Sequence, residues 1–192
     1  MSAVYSIGHS SHPISKFLSL LKGYSIQVVI DSRSYPHSTY APQYDWRELR
    51  KTLRDTHIKY LFLGKELGGR PEGSEYYDSE GRVLYYRLAE SASFRAGIER
   101  VIVGASATQI AILCSEEDPT NCHRSLLIGA ALARLGCAMK HIRADGTVQS
   151  EESLRGVKRS QMTMFGVDPA QTLWKSTRSV LRKDQPKASS PH

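Results

Sequence analysis

Apolar residues along this chain fall into short continuous runs separated by stretches of helical period. Val4-Tyr5-Ser6-Ile7, Ile26-Gln27-Val28-Val29-Ile30, Lys59-Tyr60-Leu61-Phe62-Leu63, Gln109 to Leu113 and Ala138 to Ile142 read as five strands. Between them, Ile14, Phe17, Leu18 and Leu21 repeat at helical spacing in a segment from Pro13 to Lys22 that Gly23 stops. Trp46, Leu49 and Leu53 mark a second helix, capped by Asp45 and running to about His57. Further helices are expected from about Ser93 to Val103 and from Pro119 to Leu135, the latter closed by Gly136. Residues 34–44 and 64–81, rich in proline, glycine and tyrosine, read as loops, the second long enough to act as a lid. Asp145-Gly146 signals a turn after the fifth strand.

Strands alternating with helices, and no Asn-Gly or Asp-Gly hairpin between the first four, give an α/β fold. We expect a single domain with a mostly parallel sheet of about five strands and helices on both faces. The pattern decays near Ser150, which divides a 1–149 α/β domain from a basic 150–192 extension. That extension should hold a short basic helix near Glu151–Lys158 and end in a disordered dozen residues.

Length and charge refine this picture. The 192 residues suit one well-buried domain, and no run approaches the ~18 apolar residues of a membrane helix, so no membrane partner is expected. Met1 to Tyr5 lacks the basic start of a signal peptide, and three cysteines do not make a disulfide framework; both point to a reducing cytoplasm. Residues 150–192 carry eight Lys and Arg against four Asp and Glu, so +4 of the net +7 sits there. Nucleic acid contacted by this tail is therefore one candidate partner. Neither oligomeric state nor a cofactor is legible: Gly68-Gly69-Arg70-Pro71 is neither a Walker A loop nor a dinucleotide fingerprint.

Candidate chemistry gathers where the strands end. In an open parallel sheet, ligands bind beyond the carboxyl ends of the strands. Strand one delivers His9 and Ser10 there, strand two Asp31 and Arg33, and strand four Cys114 and Glu116. The following turn returns Cys122, His123 and Arg124, and strand three leads to Glu66 and Arg70. Asp118 should cap the helix starting at Pro119, so that Cys122 feels the positive helix end and gains thiolate character. His9, Glu116, Cys114, Cys122 and His123 are the candidate catalytic groups. Ser10, Asp31, Arg33, Glu66, Arg70 and Arg124 are the candidate substrate contacts, with Arg33 and Arg124 holding a phosphate or carboxylate. Two of these have a plainer reading: Ser10 or Ser11 as a helix cap, and Asp31–Arg33 as an internal salt bridge. Cys137 reads as core. A mixed set of Cys114, Cys122, His123 and His9 would suit a metal, but Cys-x7-Cys-His is not a usual zinc spacing, and no metal ligand is assigned.

Five ordered motifs carry a family resemblance: Tyr5-Ser6-Ile7-Gly8-His9-Ser10, Val29 to Pro36, Glu66-Leu67-Gly68-Gly69-Arg70, Leu113 to Pro119 with Cys122-His123-Arg124, and His141-Ile142. Over roughly residues 4–148 the chain resembles the domain-of-unknown-function family 488. It carries Ser32 where the family pattern has Val. The resemblance implies a compact α/β domain and sharpens the site without naming a reaction. Asp31-Ser32-Arg33 after a strand also resembles rhodanese-like domains, but Glu116, Glu117 and Asp118 beside Cys114 would oppose a thiolate, so sulfur transfer is an analogy only. The expectation is an enzyme acting on a small anionic or nucleotide-like substrate. A nucleic-acid-associated binding module is the alternative, and a metal-dependent enzyme with Cys/His ligands the third reading.

Overall fold

The computed structural model describes residues 3–156, 174–178 and 180. Its sheet has six strands: β1 (Val4–Gly8), β2 (Val28–Asp31), β3 (Lys59–Phe62), β4 (Ile110–Cys114), β5 (Met139–Ile142) and β6 (Val148–Ser150). Their order is β3-β2-β4-β1-β5-β6; the first five are parallel, and β6 pairs antiparallel with β5. The sixth strand was not expected, because Val148-Gln149-Ser150 is short and exposes its one apolar residue. The Asp145-Gly146 turn that produces this hairpin was legible, with Gly146 at a positive φ of 86°.

Alternating side chains build a core on each face of the sheet. Ile110 and Ile112 of β4 point to one face with Val4 and Ile30, while Ala111 and Leu113 point to the other with Ile7 and Val29. Helices α1 (Ile14–Gly23) and α2 (Trp46–Asp55) cover the second face through Phe17, Leu21, Leu49 and Leu53. The one-turn helix α3 (Gly64–Leu67), α4 (Tyr85–Glu90), α5 (Ala92–Ala107) and α6 (Ala130–Arg134) cover the first. This is the α/β architecture expected, with both faces covered. No helix among the described residues is long and apolar enough to cross a membrane.

Local details depart from expectation for identifiable reasons. Asp45 caps α2, its carboxylate accepting from the Arg47 N–H at 3.2 Å. Neither Ser10 nor Ser11 caps α1: the capping position is Pro13, and no side chain takes that role. Residues 64–81, read as a loop, contain α3 and a short 3-10 turn, Ser74–Tyr76. The continuous helix expected from Pro119 to Leu135 is broken into a 3-10 turn, Pro119–Asn121, a π-helical segment, Arg124–Gly129, and α6. At the break Cys122 is extended (φ −98°, ψ 144°), which turns its side chain back towards Cys114. The predicted helix near Glu151–Lys158 is present over 151–156, and its remaining residues lie outside the described part of the chain, as does the expected disordered end.

Candidate active site

Three parallel strands end side by side, with β4 between β1 and β2. Gly8 stands in register with Cys114, and Asp31 with Leu113. The cavity beyond this edge measures about 710 Å3, and its wall includes Arg33, Arg70, Tyr85, Cys114, Glu116, Cys122, His123 and Arg178.

At its floor two buried thiols meet. The Cys122 Sγ–H donates to Cys114 Sγ across 3.0 Å, and His123 Nδ1 lies 3.6 Å from Cys114 Sγ and 3.8 Å from Cys122 Sγ. His123 Nε2 faces the Ser32 carbonyl oxygen at 3.1 Å, which fixes the ring. The Cys122 hydrogen bond, and after it the nearby His123 charge, hold the Cys114 thiol well below the ordinary thiol range against the opposing effect of burial. The same bond, together with burial, pushes Cys122 up. The contact thus favours charge on Cys114, whereas the helix-end argument from sequence favoured Cys122. The reason is structural: Cys122 closes a three-residue turn instead of opening a long helix, and it spends its proton on its neighbour. Burial lowers His123, but the Cys114 charge and hydrogen bond outweigh it, so the imidazole pKa is raised.

Of the acidic run beside Cys114, only Glu116 stands where its charge opposes this thiolate. Glu117 turns away to a two-pronged pair with Arg143, 2.9 Å at each contact, and Asp118 accepts from the Thr120 N–H at 2.9 Å. Glu116 alone faces the cavity. Burial and then the Cys114 charge raise its pKa, with Arg178, His123 and Arg124 acting in the opposite direction.

Both central guanidinium groups point into the protein. Arg33 grips Asp31 through Nε (2.9 Å) and Nη2 (2.6 Å), and Tyr60 donates its hydroxyl to the same carboxylate at 2.7 Å. Its Nη1 donates to the Tyr44 carbonyl oxygen and to His9 Nε2, at 2.9 and 3.2 Å. Arg124, fully buried, spends Nη1 and Nη2 on the backbone carbonyls of Glu116 and Glu117. Gly8 permits this closeness, since a Cβ there would stand 1.8 Å from the Glu116 carbonyl oxygen. The anion cradle expected from Arg33, Arg124 and the Pro119 helix end is therefore not formed. Asp31–Arg33 is the internal salt bridge, Arg124 ties down the Glu116–Glu117 turn, and Asp118 already occupies the turn's amino end.

His9 is placed likewise. Its Nδ1 lies 2.6 Å from the Ser10 carbonyl oxygen, Nε2 accepts from Arg33, and the ring stacks on Tyr44 at 4.2 Å. Neither ring nitrogen faces the cavity. Burial lowers its pKa to about 4, so the ring is neutral at neutral pH. A base whose folded pKa is depressed adds stability above its unfolded pKa and loses it as pH falls towards the folded value. Unfolding free energy should thus fall between pH 6.5 and about 4 by up to roughly 1.4 kcal/mol per pH unit from this residue. Denaturant titrations of wild type and His9→Gln should show the slope reduced in the variant; equal slopes would refute the assignment.

Of the remaining candidates, Ser10 holds a left-handed backbone (φ 45°) and lies outside the cavity wall. Glu66 turns to α5 and pairs with Arg100 at 3.0 Å, away from the thiols. Arg70 does line the cavity, positioned by its backbone N–H donating to Ser34 Oγ at 2.9 Å. Gly69 beside it lies flat against the His123 ring, where a Cβ would come within 2.8 Å of Cγ.

A family model described as "Domain of unknown function DUF488" matches residues 13–131, well over half of the chain. The chain belongs to this family. No curated protein and no solved structure matches it. Within the DUF488 match lie Cys114, Cys122, His123, Arg33 and Arg70.

One wall of the candidate site of this DUF488 chain comes from outside that match. Residues 174–178 and 180 return to residues 81–86, with Ser176 N–H donating to the Val83 carbonyl (2.8 Å), Val83 N–H to Ser176 Oγ (2.9 Å) and Val180 N–H to the Gly81 carbonyl (3.0 Å). Arg134 lies over the Trp174 ring at 4.2 Å, and Lys175 pairs with Asp78 at 2.9 Å. Ser176, Thr177, Arg178 and Val180 thereby face Cys114 across the cavity. Sequence reasoning missed them because the tail's only visible signal was its charge. The signal that went unused was the isolated Trp174, whose ring packs under Arg134.

A single metal ion could be reached by Cys114, Cys122 and His123, whose ligand atoms all lie within 4.8 Å of one another. Two thiolates on tetrahedral zinc, each at ~2.3 Å, stand about 3.8 Å apart. The two sulfurs, 3.0 Å apart, stand closer together than that geometry requires.

Proposed function

We propose that this DUF488 protein is a cysteine-dependent enzyme that acts on a small anionic, electrophilic substrate. The observation that carries the reading is the Cys114–Cys122 contact at the floor of an open cavity. A thiolate is the nucleophilic form of cysteine, and this one is held by a donor that costs it no exposure. Arg70 and Arg178, both exposed on the cavity wall, supply positive charge in place of the inward-turned Arg33 and Arg124.

In the proposed reaction the Cys114 sulfur bonds to the electrophilic centre as the leaving group departs with its electron pair. Glu116, with a raised pKa, gives that group its proton. Water then attacks the same centre and yields its proton to Glu116, and the sulfur leaves as thiolate.

Iodoacetate and iodoacetamide test this directly, since they differ in charge and little in size. Iodoacetate should alkylate Cys114 several-fold faster, and the preference should vanish in the double variant Arg70→Ala, Arg178→Ala. Equal rates in the wild type would remove the anion site. Failure of both reagents to reach Cys114 would remove the nucleophile. Stoichiometric zinc on protein purified without a metal-affinity column would instead favour the metal-dependent reading.

A further inference from the structure

A second concavity, of about 770 Å3, lies where α2 meets the edge strand β3, and it shares no wall residue with the Cys114 cavity. Arg47, Arg50, Lys51 and Arg54 follow the i, i+3, i+4, i+7 spacing that puts them on one face of α2, and Lys59 on β3 faces them. All five are exposed. No acidic residue lines the groove. The nearest compensation is a 3.7 Å contact between Arg54 and Asp55, both well exposed and therefore worth little. Among the described residues no ion pair engages Arg50, Lys51 or Lys59. Trp46 forms the groove's aromatic end, with the Arg47 guanidinium 5.2 Å from its ring centre.

Such a concentration of positive charge, with Arg50, Lys51 and Lys59 outside any ion pair among the described residues, is not what a helix needs merely to stay solvated. The outer face of α5 mixes Arg95 and Arg100 with Glu99. A row of cations along about 10 Å of helix, closed on one side by a strand and ended by an indole, has the two elements of single-strand recognition: a positive track for phosphates and an aromatic surface for a base. An anionic bilayer fits less well. The apolar face of α2, Leu49 and Leu53, is buried in the core and has nothing left to insert.

We infer that the α2–β3 groove binds single-stranded nucleic acid through its phosphates. The inference stands independently of the Cys114 chemistry and assigns the contact to a folded surface, not to the basic tail.

The test is fluorescence anisotropy of a labelled single-stranded oligothymidine titrated with the full chain at several salt concentrations. Arg50→Ser, Lys51→Ser, Arg54→Ser is the groove variant. Lys16→Ser, Arg95→Ser, Lys140→Ser removes equal charge from exposed sites elsewhere. The groove variant should bind at least tenfold more weakly, with the salt slope reduced by about 2, while the control stays near wild type. Trp46→Ala should lose about tenfold more through base stacking. Absence of binding at low salt, an equal loss in both triple variants, or equal affinity for anionic phospholipid vesicles would each overturn the inference.

Discussion

Removing the Cys122 side chain as Cys122→Ala should raise the titration midpoint of Cys114 by about one to two pH units. A hydrogen bond to a charged acceptor contributes about 1.5–3 kcal/mol, and one pKa unit corresponds to about 1.4 kcal/mol. Cys122 is the leading cause of the lowered Cys114 pKa, so its loss leaves burial opposed only by His123 and Arg124. Thiolate absorbance in the ultraviolet, followed against pH, gives the midpoint. Cys114→Ser should abolish the low-pH transition, because burial still holds the Cys122 thiol up after the larger cause, the bond to Cys114, is gone. Cys122→Ser, which retains a donor near the sulfur, should fall between wild type and the alanine variant. A midpoint unmoved by Cys122→Ala would mean that the thiol pair contributes nothing to the charge on Cys114.

The largest loss of stability should follow Asp31→Ala. Asp31 is fully buried, and its carboxylate holds two nitrogens of Arg33 and the Tyr60 hydroxyl. Without it, a buried guanidinium has no counter-charge, a defect that costs about 3–5 kcal/mol. At this chain length that corresponds to a fall in Tm of roughly 10 °C. Denaturant unfolding measures it. Adding Arg33→Met to the alanine variant should recover part of the loss, since no uncompensated charge then remains. A loss below about 1 kcal/mol would show that water reaches Arg33 and that the pair is not the site's internal brace.

The position of a group along the chain was legible in the sequence, and the direction of its side chain was not. Apolar runs and helical spacing located the first five strands, because burial on both sides of a parallel sheet leaves that trace. The same runs located the carboxyl edge, and with it Cys114, Glu116, Cys122 and His123. Arg33 and Arg124 were equally visible as cations beside a site. Whether a guanidinium faces a cavity depends on acceptors that only folding gathers, here Asp31, the Tyr44 carbonyl and the carbonyls of Glu116 and Glu117. Helix α4 escaped notice because six residues hold too little periodicity to distinguish them from loop. The break at Cys122 left no trace because the contact with Cys114 towards which its extended backbone turns it is gathered only by folding.

The cavity wall supplied by Ser176, Thr177, Arg178 and Val180 makes a segment remote in sequence a participant in any equilibrium at Cys114. Whatever binds between Arg178 and the thiols must favour the docked segment by the same factor by which docking favours binding. Amide exchange at Val83 and Ser176, two residues joined by reciprocal hydrogen bonds, would then slow as the site fills. The protein would thus report the occupancy of a buried sulfur through the protection of a backbone seam formed by residues distant from it in sequence.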